Sequence, residues 1–173
     1  MSALFPAVGE PTRSRPWMPG YGISTDVDGL LDWSWARTRL ESHRTYWVCT
    51  AGTGQAPHAA PVWGIWDEAV FVFSTGDSSR KHKNLVANPR CAVALDLGEE
   101  SLVVNGSAAF LGRSGEPVLA PVSARYQAKY GTDLAAMNEP LFAVEAFTVI
   151  AQIDRDGQFT RTATRWTWHR NRQ

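Results

Sequence analysis

The sequence predicts a mainly β protein, an antiparallel barrel that is closed or nearly closed, with helices on its periphery. Three observations predict it. Runs rich in Val, Ile, Phe, Tyr, Trp and Thr recur along the chain and supply seven strand candidates. Most neighbours among them are separated by short turn signals, so they pair as antiparallel hairpins. Only three stretches carry a full helical period. Seven such strands roll into a barrel, with one able to sit outside the closed set. At 173 residues the chain fits one domain.

Residues 1–27 are rich in Pro, Gly, Ser and Arg, and Arg15-Pro-Trp-Met-Pro-Gly-Tyr-Gly22 has neither helical nor strand period. This reads as an arm lying across the surface or across a partner subunit, with residues 28–173 forming the barrel domain. Trp17 and Tyr21 favour docking of the arm. Asp28 is placed to cap a helix over 29–42 that carries Leu30, Leu31, Trp33, Trp35 and Leu40. Thr45–Thr50 is the first barrel strand. After the Gly52–Gln55 turn, Pro57–Trp66 reads as one strand, and Asp67-Glu68 turns it into a third, Ala69–Thr75.

A short helix follows over Ser78–Ala87, capped by Asp77 or Ser78 and stopped at Asn88-Pro89. Cys91–Leu97 and Ser101–Leu111 form a hairpin across Gly98-Glu-Glu100. Ser114–Tyr130 has helical period, with Pro121 marking where the regular part begins and Gly131 where it closes. A further short helical piece covers Leu134–Met137. Phe142–Ile153 is a long strand that turns at Asp154–Gly157 into a last one, Gln158–Trp168. His169–Gln173 is a polar tail.

Composition excludes several function classes. The 17 basic and 17 acidic residues cancel, which argues against a general nucleic-acid binder. No stretch approaches the length of a membrane span and no secretory leader is evident, so a soluble cytoplasmic protein is expected. Cys49 and Cys91 lie in apolar strand runs and read as core thiols. The four histidines, His58 among them, show no metal-ligand spacing. No hydrolase constellation is present, and no side chain is assigned a catalytic role; redox chemistry carried by a cofactor needs none. Eight tryptophans imply interfaces or ring-binding walls as well as core.

The chemistry concentrates in Ser74-Thr-Gly-Asp-Ser-Ser-Arg-Lys81, where a strand breaks at a glycine and restarts as a helix. A helix N-terminus leaves N–H groups unpaired and carries partial positive charge, so it takes phosphate or carboxylate. Ser74, Thr75, Ser78 and Ser79 add donors; Arg80 can fork onto two phosphate oxygens and Lys81 adds a point charge. Upstream, His58-Ala-Ala-Pro-Val-Trp63 places small residues and a proline in a strand. Pro61 cannot donate to a ladder and marks an edge or bulge, where a flat ring can approach backbone and Trp63 can wall it. A barrel edge with core tryptophans explains the same residues. Near the C-terminus, alternation in Thr164-Arg-Trp-Thr-Trp168 puts Arg165 on one face and Trp166 and Trp168 on the other.

These segments, His58–Trp63, Phe73–Gly76, Ser79–Leu85 and Asn88-Pro89, resemble in order and spacing the pyridoxamine 5′-phosphate oxidase-like split-barrel superfamily. Within it, the chain resembles the F420-dependent flavin/deazaflavin oxidoreductase B branch. The likeness is strongest over about residues 30–112, with Arg165-Trp166 a weaker match. It implies a six-stranded antiparallel split β-barrel with peripheral helices, and a homodimer with two cofactor sites at the subunit interface. It implies F420 as cofactor, with FMN the alternative. The phosphate would sit on Ser74, Thr75, Ser79, Arg80 and Lys81, and the ring against Pro61, Val62 and Trp63. Arg165 and Trp166 of one subunit would approach the other's site. The Arg-Leu-x-Pro ending of vitamin B6 oxidases is absent, which speaks against that substrate. The carboxylate-bearing tail of F420 would call for further cations, Lys83 or Arg15. The expected activity is hydride transfer from reduced F420 to an unsaturated or conjugated small molecule. An FMN oxidoreductase and a non-catalytic flavin, haem or tetrapyrrole binder stand as alternatives. Trp17, Met18, Tyr21 and Met137 are candidates for the substrate pocket.

Overall fold

A computed structural model describes residues 4–54 and 56–168; Gln55, the first three residues and the polar tail expected at His169–Gln173 lie outside the described residues. Nine strands run in the order β1 (Thr12–Ser14), β2 (Tyr46–Thr50), β3 (His58–Val62), β4 (Gly64–Asp67), β5 (Val70–Ser74), β6 (Arg90–Asp96), β7 (Glu100–Arg113), β8 (Pro140–Ile153) and β9 (Thr164–Thr167). Among the described residues five α-helices intervene, α1 (Trp33–Ser42), α2 (Arg80–Ala87), α3 (Ala120–Tyr130), α4 (Leu134–Met137) and α5 (Phe159–Thr162), with a 3-10 turn over Pro117–Leu119 ahead of α3. Every pairing is antiparallel, in the spatial order β1-β9-β8-β7-β6-β2-β3, with β5 joining β8 to β4. The fold is the expected mainly β split barrel. Its hydrogen-bonded sheet is not closed: between β3 and β4 the wall is bridged by the chain itself, through Trp63.

That junction corrects the single strand expected over Pro57–Trp66. The first half pairs with β2 and the second with β5. The change of partner brings the backbone so close that a Cβ on Gly64 would lie 2.3 Å from the Phe71 ring and 2.7 Å from the Val72 carbonyl. β7 and β8 are long enough to serve both halves of the barrel, and bend at irregularities beside Gly106 and Gly112. Gly106 is required there, since its Cβ would meet the Glu145 carbonyl at 2.4 Å.

Two cores result. The barrel interior holds Tyr46, Val48, Phe71, Phe73, Val93, Leu102, Val104, Phe142, Val144 and Trp166, with Trp33 packed against them. On the opposite face of β4, β5 and β8, Val122, Tyr126 and Tyr130 of α3 pack over Ile65, Val72, Leu141 and Ala143.

Helix boundaries differ from expectation for local reasons. α1 begins at Trp33, not beside Asp28, because Gly29 is left-handed (φ 84°) and the Leu31 N–H is already given to the Thr164 hydroxyl at 2.9 Å. Asp32, at the N-cap position, makes no capping bond and pairs instead with Arg13. α2 is capped by Ser79, one and two residues after the expected Ser78 and Asp77. Gly131 closes α3 in the left-handed conformation as expected. The strand expected over Gln158–Trp168 is shortened to Thr164–Thr167, since residues 159–162 coil into α5 and Thr162 turns its hydroxyl onto the Ile153 backbone.

Within the arm expected over residues 1–27, the described part is stitched to the barrel by β1, which pairs with β9. Arg15 fixes its base by donating to the carbonyls of Asp26, Asp28, Arg161 and Ala163 at 2.5–3.0 Å. Among the described residues, no helix is long and apolar enough to cross a membrane.

Candidate functional site

The β5–α2 connection forms a cradle. Thr75 and Ser79 join their hydroxyls at 2.8 Å, and the Ser79 oxygen accepts the His82 N–H at 3.2 Å, starting the helix. Among the described residues, the Arg80 and Lys81 N–H groups have no acceptor, as a first helical turn requires, so they remain to bind an anion. Arg80 is exposed and reaches the Ala56 carbonyl only at 3.4 Å; Lys81 is half-buried. Asp77, the acid inside the loop, is paired with Arg113, whose Nη2 lies 2.9 Å from each carboxylate oxygen. One group opposes an anion: the Glu139 carboxylate, 3.7 Å from where a Gly76 Cβ would stand. Gly76 is otherwise open, so nothing in the protein itself obstructs the loop backbone there.

The ring-wall residues form a second, adjoining feature. A shallow pocket of about 330 Å³ is lined by Thr45, Pro61, Val62, Trp63 and Tyr126. Pro61 is exposed on the edge strand β3, as its missing N–H demands. Val62 turns its side chain into the core and is 7% exposed, leaving only its backbone for a ring. Trp63 is 45% exposed and stacks one indole face on Tyr130, with centroids 4.9 Å apart and planes 5° from parallel. Tyr126 links the two features: it lines the pocket, and the Ser74 side chain acts on its phenol to lower a pKa that burial pushes up to about 12, so it stays protonated. Ser74, Pro61, Val62 and Trp63 therefore share one neighbourhood, and Thr75, Ser79, Arg80 and Lys81 continue from Ser74 along the chain.

The C-terminal pair separates. Arg165 is half-buried on the outer face of β9, its Nε 3.2 Å from the Ser14 hydroxyl. Trp166 faces inward, is 0% exposed and packs edge-on against Trp33 at 5.7 Å. Its side chain is core and touches no surface where a cofactor could lie. Arg15 is likewise withdrawn from the role of a tail cation by its four carbonyl partners, while Lys83 is exposed on α2.

Sequence reasoning missed Tyr126, Lys129 and Tyr130 as site residues. Periodicity marked the two tyrosines as apolar members of α3; the available signal was that Tyr rather than Phe at a buried position needs a partner for its hydroxyl. Tyr130 accepts the Gly64 N–H at 3.0 Å and donates to the Gly64 carbonyl at 2.7 Å. The Lys129 ammonium reaches the same carbonyl at 3.1 Å and the Tyr46 hydroxyl at 2.8 Å.

Comparison with known proteins agrees with this architecture. The solved structure of a conserved hypothetical protein from Mycobacterium tuberculosis superposes with a TM-score of 0.65 at 20% identity, covering 75% of this chain and 89% of that one. A protein described as an F420 reductase gives a TM-score of 0.52 at 20% identity, covering 65% and 94%. HutZ, the heme storage protein from Vibrio cholerae, gives 0.56 at 16% identity, covering 68% and 90%. At these identities the likeness is one of fold. No curated protein matches the sequence. The profile that describes pyridoxamine 5′-phosphate oxidase does match, over residues 35–153, from α1 through the end of β8. With the barrel, the capped β5–α2 cradle and more than half the chain accounted for, the protein belongs to the pyridoxamine 5′-phosphate oxidase family.

Proposed function

We propose that the protein is an oxidoreductase using a flavin-type cofactor, with F420 first and FMN the alternative, and that its substrate is an unsaturated or conjugated small molecule. The observation that carries the reading is the place of Tyr126, which lines the ring pocket and feels the Ser74 side chain at the start of the cradle. An anion cradle with two unpaired N–H groups, Arg80 and Lys81 adjoins a pocket walled by Pro61 and Trp63, as a phosphate joined to a flat ring requires. Thr75, Ser79, Arg80 and Lys81 would hold the phosphate, and Lys83 is the exposed cation available to an acidic tail. When bound and reduced, a deazaflavin supplies hydride; the protein's part is to orient the ring and exclude water. The likeness to an F420 reductase supports the choice of cofactor.

The pocket of one chain is small, at the lower limit of ligand sites. A second copy would complete it. Pro61, Trp47, Ala94, Val103, Ile150 and Arg165 stand in one register row across the outer face from β3 to β9, and each keeps some exposure to solvent. Such a largely apolar row suits a homodimer interface. A two-fold axis running along the strands sets the β9 edge of one copy over the β3 edge of the other. Arg165 then comes to the partner's ring pocket, a role Trp166 cannot share.

The test is a titration of the purified protein with FMN and with F420, followed by oxidation of reduced F420 against quinones, enones and tetrapyrroles. Binding of F420 with turnover is the expected result; binding of FMN alone sinks the F420 reading. A second reading, a non-catalytic haem or tetrapyrrole binder, has the likeness to HutZ in its favour and predicts binding without turnover of any acceptor.

A further inference from the structure

The break in the barrel wall leaves Gly64 without a strand on one side, and side chains of α3 take the strand's place. The Tyr130 hydroxyl both accepts from the Gly64 N–H and donates to its carbonyl, and Lys129 adds a second donor to that carbonyl. Gly64 directly follows Trp63, whose indole rests flat on the ring of the same Tyr130. The last turn of α3 thus grips both the backbone and the side chain of the junction. Resting on the ring-pocket reading above, we propose that Lys129 and Tyr130 are positioning residues: through Gly64 and the Trp63 indole they hold the wall against which the cofactor ring lies. Neither residue lines the pocket itself.

The grip includes a charge. The ammonium stands 4.9 Å from the Tyr46 ring centroid and 5.4 Å from that of Tyr130, and its bond to the Tyr46 hydroxyl ties β2 to the same knot. Burial, with Arg44 as the next cause, lowers its pKa to about 8 against a raising influence from Glu41 on α1. Neighbouring groups are shifted as well. His43, ahead of β2, is lowered by burial and by Lys129 and is neutral well below pH 8. Tyr46 and Tyr130 are both raised, chiefly by burial. Arg37 on α1 is paired with Glu41, and Arg125 on α3 with Asp67 of β4; Glu68 closes the far side of the shared cleft. With its pKa at about 8, Lys129 loses its charge near that pH, and the wall loosens as the charge is lost.

The test uses the full chain labelled with 5-fluorotryptophan, with the Trp63 fluorine resonance assigned by its loss in Trp63→Phe. In the cofactor-free protein that resonance should move with a midpoint near pH 8, and should cease to move in Lys129→Met and in Lys129→Arg. A Trp63 resonance that stays fixed from pH 6.5 to 9.5, or one that titrates equally in Lys129→Met, overturns the proposal whether or not any cofactor binds. In parallel, the dissociation constants of F420 and FMN are followed over the same range. Wild-type affinity should fall about tenfold above pH 8, the equivalent of one hydrogen bond. Lys129→Arg should hold the pH 7 affinity throughout. Lys129→Met should be weak and flat and Tyr130→Phe weak at every pH, and wild-type-like affinities in those two variants also overturn the proposal. If the resonance titrates while neither cofactor binds at any pH, the positioning of Trp63 stands and the flavin reading is what fails.

Discussion

Replacing Arg80 and Lys81 together by alanine should make the free protein more stable and the cofactor complex weaker, and the opposite signs are what make the experiment decisive. Both residues occupy the first turn of α2, which has no acidic residue there to offset them. Positive charge at a helix N-terminus costs about 0.3–1 kcal/mol per residue, and alanine is the better helix former. The double variant should therefore gain on the order of 1 kcal/mol, about 2–4 °C in melting temperature at this chain length. Little is lost in return, because the one hydrogen bond Arg80's side chain makes among the described residues is a 3.4 Å approach to the Ala56 carbonyl at the surface. Bound phosphate reverses the sign. Each charge-assisted hydrogen bond contributes about 1.5–3 kcal/mol, so losing two should weaken binding by roughly a hundredfold to ten-thousandfold. Urea unfolding gives the first number, and fluorescence titration with F420 and FMN the second. Ser79→Ala is the companion: it removes the cap on the His82 N–H and should cost about 1 kcal/mol without ligand. A double variant that binds within threefold of wild type would refute the phosphate assignment, and one that is less stable than wild type would show that the basic turn is structural.

Three further outcomes follow from the same geometry. Gly64→Ala drives a Cβ to 2.3 Å from the buried Phe71 ring and 2.7 Å from the Val72 carbonyl, so it should cost about 3 kcal/mol or more in urea unfolding; a loss under about 1 kcal/mol would mean the β3–β4 junction is looser than described. Trp47→Glu places a charge in the outer row beside Pro61 and should give a monomer by light scattering at micromolar concentration, with weaker cofactor binding; a variant still dimeric would move the interface elsewhere. Lys129 also leaves a mark on stability. Its folded pKa of about 8 lies below the unfolded 10.5, so between those values the unfolded chain binds more protons and the Lys129 contribution rises with pH. Cys91, raised to about 12, and Tyr46, also raised, act in the opposite direction at alkaline pH but are common to both proteins. The wild type minus Lys129→Met difference in unfolding free energy should therefore climb from pH 8 to 10.5, and a flat difference would contradict the burial of that ammonium.

How much of the fold is legible in the sequence depends on whether the deciding contact is local. Hairpins across Asp67-Glu68 and Gly98-Glu-Glu100 are visible because the turn residues sit beside the strands they join. The stop of α3 at Gly131 is visible for the same reason. The β3–β4 break is not, since the apolar run of Pro57–Trp66 continues through it and only the approach of Phe71 shows that the strand changes partner there. Gly64 within an apolar run was the one hint of close backbone contact. The final strand fails differently. Its threonines suit a strand, but Thr162 is taken by the Ile153 backbone across the turn, and no local propensity encodes that bond.

The candidate site divides along the same line. Ser74 to Lys81 is a contiguous segment whose cap and basic turn can be read residue by residue, and the structure keeps them together. Trp166 shows the limit of alternation: period two assigns Arg165 and Trp166 to opposite faces correctly, yet cannot say which face is inside, and the indole proves to be the largest fully buried side chain among the described residues. Arg15 shows the limit of charge counting, because a guanidinium looks available until four carbonyls brought from 11 to 148 residues away have claimed it. The same long-range closure hides Lys129 and Tyr130, which act on a glycine some 65 residues upstream. A positioning shell is by nature the least local part of a site: its residues are chosen for where α3 ends relative to a gap in the barrel, and that relation exists only once the chain has folded.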